Sequence, residues 1–203
     1  MKGGHLDCLQ YLHANGCPWD IPSLHSAAAQ YNQIACLQYF FEQGVPWSSA
    51  CDAIAVYGNL EMLKFVAENG CDFGKFATNF AAEFGHVDCL RYLLYDVRCP
   101  LGQYALYDAC GNGHLACVKV LHEYGAKWTH RACANAAAGG HLHCVQYLHE
   151  NGCPWDEDTA EVAAKIGNYE ILHYAISHNC PHFPRILNYA TYSVTQNSVK
   201  CIQ

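Results

Sequence analysis

Gly140 to Asp156 reads Gly-His-Leu-His-Cys-Val-Gln-Tyr-Leu-His-Glu-Asn-Gly-Cys-Pro-Trp-Asp, and nearly the same text stands at Gly4 to Asp20. Weaker copies begin at Asn32, Gly58, Gly85, Gly113 and Gly167, so the intervals are 28, 26, 27, 28, 27 and 27 residues. A further copy, Asn197 to Gln203, is cut short by the end of the chain. A period this short constrains the fold more than any other feature, because one copy cannot bury its own apolar face and only stacked neighbours create a core. Residues 1–203 are therefore read as a single repeat domain, with second helices starting near 4, 32, 58, 85, 113, 140 and 167.

Counted from the leading Gly or Asn, apolar residues fall at offsets 2, 4, 5, 7 and 8, as in Leu6, Cys8, Leu9, Tyr11 and Leu12. That spacing is helical, and polar offsets 1, 3 and 6 supply a solvated face. Offset 12 is Gly16, Gly44, Gly70, Gly125, Gly152 or Asn179, the residue types that close a helix in the left-handed conformation. Pro18, Pro46, Pro100, Pro154 and Pro181 follow and prevent the helix from continuing. The fourth copy has an extra residue near Val97 and Arg98, where a distorted turn is expected. Beyond each stop comes an aromatic and then an N-cap type, Asp20, Ser48, Gly74, Thr129 or Asp156. A first helix then runs to an Ala pair such as Ala81-Ala82 or Ala136-Ala137, small enough for two helices to pack closely. Each unit is thus a helical hairpin. Six complete units are expected, opened by a lone second helix and closed by an incomplete unit.

Pro22-Ser23-Leu24-His25-Ser26-Ala27-Ala28 resembles the ankyrin pattern Thr-Pro-Leu-His-x-Ala-Ala, and Gly113-His114-Leu115 is similar to the Gly-His-Leu that opens the second ankyrin helix. The period is about 27 residues instead of 33. The missing residues come from the loop that carries the β-turn finger, so the expected fold is an all-α, ankyrin-like helical-hairpin solenoid with shortened loops and no β-hairpin fingers. The Asn-Gly-Cys-Pro-Trp-Asp text looks like the short ankyrin-like repeats of giant DNA viruses and some protists. The resemblance implies an intracellular protein-protein interaction module, a scaffold or adaptor, and no enzyme.

A formal charge of −7 disfavours nucleic acid and anionic membranes as partners, since both need basic patches. Met1-Lys2-Gly3-Gly4-His5 runs directly into a repeat, and no 18-residue apolar run occurs, so a cytoplasmic protein is expected. The 14 Cys recur at repeat positions and are read as free thiols. Cys8, Cys36, Cys89, Cys117 and Cys144 share a column with Met62 and Ile171, which a metal site would not tolerate. Neither a catalytic residue, a metal nor a cofactor is assigned. His5, His86, His114 and His141 are expected to bond loop backbone of a neighbouring unit. The aromatic column Trp19, Trp47, Phe73, Trp128 and Trp155 is expected to plug the core.

Two surfaces are candidates for contact. On the first helices, which line the concave side of ankyrin-like stacks, the positions nine and six before each leading residue are expected to point outward. Phe76, Asn79, Tyr104, Tyr107 and Arg131 in these rows form the expected partner-binding set, because aromatics and Arg dominate interface energetics. At the start of the chain, Leu6, Leu9 and Leu12 form an expected end contact for self-association, the alternative function being structural assembly through uncapped repeat ends.

Overall fold

The computed structural model describes residues 6–18, 21–47 and 50–182. Thirteen α-helices are found among them, and no strand. Second helices are α1 (Leu6–Ala14), α3 (Ile34–Glu42), α5 (Leu60–Glu68), α7 (Val87–Arg91), α9 (Leu115–Glu123), α11 (Leu142–Glu150) and α13 (Tyr169–Ser177). First helices are α2 (Ile21–Gln30), α4 (Ala50–Ile54), α6 (Lys75–Glu83), α8 (Ala105–Gly111), α10 (His130–Ala138) and α12 (Glu157–Lys165). The two series alternate without exception, as the 27-residue period requires. The incomplete copy at Asn197, the N-cap positions Asp20 and Ser48, and His5 and Trp19 lie outside the described residues.

The helix boundaries follow from side chains and backbone freedom. Gly74, Thr129 and Asp156 are N-caps with extended backbone; Thr129 and Asp156 accept from the amides of Arg131 and Asp158. Each stop glycine from Gly16 to Gly152 has positive φ, and Asn179 does the same work at φ 60. The distortion in the fourth copy has a defined form. Helix α7 widens into a π turn over Tyr92–Asp96, Arg98 takes the left-handed role at φ 58, and the Cys99 amide reaches back to the Leu93 carbonyl at 2.8 Å. Elsewhere the equivalent bond spans one residue fewer, as from Cys153 to Leu148. The wider turn absorbs the extra residue, so the loop beyond it returns to register.

The chain divides into two compact units, Met1–Gln103 and Tyr104–Gln203. In the first, α4 packs on α2 and α6; in the second, α10 packs between α8 and α12. The Ala pairs that make this approach possible are buried, with Ala81, Ala82, Ala136 and Ala137 at 0% exposure. The Cys column behaves as small apolar filling: Cys36, Cys89, Cys117 and Cys144 are buried, as are Met62 and Ile171 at the same offset, and within the column only Cys8 is exposed.

One expectation about thiols is corrected. Cys51 in α4 and Cys71, just past the end of α5, are joined in a disulfide, with Cα atoms 5.9 Å apart. The first helix of a unit and the loop that leaves its second helix converge within bridging distance, a convergence that residue spacing alone does not reveal.

Candidate interaction surface

The outer row, nine residues before each leading Gly or Asn, points to solvent: Ser23, Phe76, Tyr104, Arg131 and Asp158 are all exposed, with Phe76 at 52% and Tyr104 at 54%. In the first unit the Lys75 ammonium lies 5.6 Å from the Phe76 ring centre, and Phe76 stacks on Phe80 at 6.3 Å. In the second unit Tyr104, Arg131 and Asp158 stand at the starts of α8, α10 and α12. The five residues expected to bind a partner are thus divided, Phe76 and Asn79 belonging to the first unit and Tyr104, Tyr107 and Arg131 to the second.

The row six before the leading residue does not point outward, and Asn79 is the clearest correction. It is 6% exposed, and its side chain sits so close to Gly102 that a Cβ there would overlap it. The row faces the next repeat, at its entering loop for Asp52, Asn79 and Tyr107 and at the end of its first helix for Ser26. Asp52 accepts from the Gly74 amide at 2.8 Å, Tyr107 and Thr129 share a hydroxyl contact at 3.3 Å, and Ser26 and Tyr57 share another at 3.3 Å. These residues join one repeat to the next. Burial raises the Asp52 carboxyl, against the lowering pull of the Gly74 and Ala77 amides.

Histidines and aromatics connect the second helices in a pattern the sequence reading missed. His13, His122 and His149 each share a hydrogen bond from Nδ1 with the hydroxyl of Tyr39, Tyr147 and Tyr174, at 2.8, 2.9 and 3.0 Å. The available signal is a His at offset 9 followed, in the next copy, by a Tyr at offset 7. Trp128 and Trp155 lie against His122 and His149, with ring centres 3.9 and 4.0 Å apart. Trp47 is nearly buried and donates Nε1–H to the Asn69 carbonyl at 2.9 Å, and Phe73 is buried, so these two aromatics fill the core. His86 bonds the Val56 carbonyl at 2.8 Å, the backbone role expected of it, and the His141 ring packs against Gly113.

The Cys89 and Cys144 thiols of the buried column are poorly suited to nucleophilic work. Burial, with Asp88 beside it, pushes the Cys89 thiol up to about 11, and burial alone takes Cys144 to about 11. Among the described residues no three His, Cys, Asp or Glu side chains gather as a metal site, and no helix is long and apolar enough to cross a membrane.

Helix α1 differs from every other second helix in having no buried residue. Leu12 is 47% exposed and Tyr11 69%, while Leu6 and Leu9 are half-buried. Leu9 also lines an apolar groove of about 260 Å³ with Leu24, Ala28, Tyr31, Cys36 and Phe40.

No individually curated protein is close enough in sequence to count as a relative. Residues 50–132 match the family model for ankyrin repeats in three copies. The crystal structure of the human ASB11 ankyrin repeat domain is similar in fold, with a TM-score of 0.58 and 22% identity over 65% of this chain and 70% of that one. The all-α alternation of first and second helices is consistent with both comparisons. The ankyrin-repeat match thus covers residues 50–132, and the fold is an ankyrin-like, all-α one.

Proposed function

We propose that the chain is a non-catalytic adaptor that binds a protein partner through the outer row of its first helices. The observation that carries this reading is chemical variation on a fixed backbone. The outer row changes from Ser23 to Phe76, Tyr104, Arg131 and Asp158, whereas the next position inward stays Ala77, Ala105 and Ala132, each 0% exposed. Ankyrin repeats as a class are protein-interaction modules, and exposed Tyr and Arg are the types that supply most interface energy when desolvated. In the second unit Tyr104 and Arg131 are the main anchors, with Tyr107 supporting them through Thr129. In the first unit Phe76 takes that part.

A photo-crosslinking amino acid in place of Tyr104 is expected to give a discrete protein adduct in a cell extract. The adduct should disappear when Arg131→Ala is added. An adduct that persists unchanged in that variant, or that forms equally well from Lys119 on α9, would refute the assignment.

A second reading, assembly through α1, is favoured by one observation, the apolar groove beside Leu9. If roughly 300 Å² of apolar surface is covered there, the contact contributes on the order of 7 kcal/mol before association costs. Sedimentation of the purified chain at rising concentration should then show association, and Leu9→Asp should abolish it. A chain that stays monomeric throughout rejects this reading and leaves the first untouched.

A further inference from the structure

The Cys51–Cys71 disulfide joins two repeat positions, one seven residues before the leading Gly and the other thirteen after it. In the other units those positions carry His25 with Val45, Thr78 with Cys99 (one residue later because of the surplus residue in that copy), Leu106 with Ala126, Cys133 with Cys153, and Ala160 with Cys180. Cys133 and Cys153 alone repeat the double cysteine, with the same separation of 20 residues.

We propose that Cys133 and Cys153 form a second intramolecular disulfide, an oxidation site in the second unit that closes when a small disulfide oxidant is supplied and reopens in thiol reductant. The structure brings the pair together. Cys133 lies in α10 and Cys153 just past the end of α11, the same two elements that Cys51 and Cys71 occupy in their own unit. Position for position they stand where Cys51 and Cys71 stand with their Cα atoms 5.9 Å apart. Both are buried, Cys133 at 0% and Cys153 at 4%, as are the joined Cys51 and Cys71 at 3% and 7%. Burial therefore does not distinguish the closed pair from the open one.

In the open form the Cys153 thiol points to the Thr129 carbonyl at 3.4 Å, and this bond recurs from Cys180 to Asp156 at 3.2 Å and from Cys99 to Gly74 at 3.1 Å. The carbonyl belongs to the N-cap of the first helix in each case. A thiol in this column therefore has a resting partner, and only where the facing position is also Cys does it have a covalent alternative.

The chemistry balances with oxidised glutathione as oxidant. The Cys153 thiol loses its proton and attacks one glutathione sulfur, forming a mixed disulfide and expelling one glutathione thiolate. The Cys133 thiol, deprotonated in turn, attacks the Cys153 sulfur and expels the second. Two protein thiols lose two electrons and two protons, and one glutathione disulfide becomes two glutathione thiols. Because both thiols are enclosed, closure is expected to be slow in the folded chain and faster during refolding.

The test is to refold the full reduced chain in a buffer of oxidised and reduced glutathione, alkylate it, digest it and identify the peptides by mass spectrometry. The expected result is two linked pairs, Cys51 with Cys71 and Cys133 with Cys153, while Cys99 and Cys180 are alkylated. Cys153 recovered as an alkylated thiol beside a closed Cys51–Cys71 bridge would overturn the proposal, as would Cys133 linked to Cys110 or Cys180. A thermal readout separates the two pairs. In Cys51→Thr, which installs the residue that Thr78 supplies in the next unit, oxidation should still raise the melting temperature by roughly 5 °C or more. Adding Cys133→Thr should remove that rise, and a rise that survives would also overturn the proposal.

Discussion

Replacing Gly102 with Ala is expected to lower stability by about 3 kcal/mol, a large share of what holds a small domain together. The added Cβ would overlap the Asn79 carboxamide and come 2.5 Å from the Lys75 backbone carbonyl. Asn79 is buried and cannot swing into solvent, and the Lys75 carbonyl is fixed within the first turn of α6, so relief requires the loop to move. Gly44→Ala is the control. Gly44 has φ 72 and nothing within 4 Å of an added Cβ, so it should lose only about 1 kcal/mol, from backbone strain alone. Chemical denaturation measures both, and equal losses would mean that the Gly102 contact carries no weight.

Two leucines with the same repeat offset should behave oppositely. Leu148 in α11 and Leu12 in α1 both stand eight residues after the leading Gly, within nearly identical text. Leu148 is 0% exposed and Leu12 is 47% exposed. Leu148→Ala leaves a cavity and should cost about 3 kcal/mol, whereas Leu12→Ala should cost less than about 0.5 kcal/mol. The difference arises from what covers the helix and not from its own sequence, which is the property expected of a stack whose core is shared between neighbours. Similar losses at the two sites would show that α1 is covered in solution.

Helix positions and helix type were readable because the repeat presents the same signals many times. Apolar offsets of 2, 4, 5, 7 and 8 recur, Gly152 and its counterparts mark the stops, and Thr129 and Asp156 mark the starts. Even the irregular fourth copy announced itself through one surplus residue, and the π turn at Tyr92–Asp96 is its physical resolution. Orientation within the first helix was only partly readable. The outer row, with Phe76, Tyr104 and Arg131, is exposed as its period implies, but Asn79 sits three residues beyond Phe76 on a side covered by the next loop. A helical period locates a face; it does not say how far a following loop reaches across it. For the same reason the Cys51–Cys71 bridge was invisible, since it depends on a loop meeting a helix of its own unit. The His–Tyr bonds lay unread because the pattern runs between copies, from offset 9 to offset 7, and each copy viewed alone shows only an amphipathic helix.

Stability and pH are linked through one of those bonds. Burial, followed by the neighbouring His178, lowers His149 below its ordinary value of 6.5, with Glu150 opposing weakly. The folded state therefore favours the neutral ring that shares its Nδ1 bond with Tyr174. This contribution is complete above the unfolded value and is lost as pH falls through it toward the folded one. The ring is half-buried, so the effect is small, and His149→Gln should flatten the stability profile as pH falls below about 6.5.

Affinity for a protein partner, measured in paired variants, tests the central claim most directly. Once a partner has been captured by the wild-type chain, Tyr104→Ala combined with Arg131→Ala should weaken binding at least about 30-fold, equivalent to about 2 kcal/mol, with helicity unchanged. Lys119→Ala combined with His173→Ala, which alters exposed residues of second helices α9 and α13, should change it less than about two-fold. An unchanged affinity in the first pair, or an equal loss in both, would contradict binding through the outer row of the first helices.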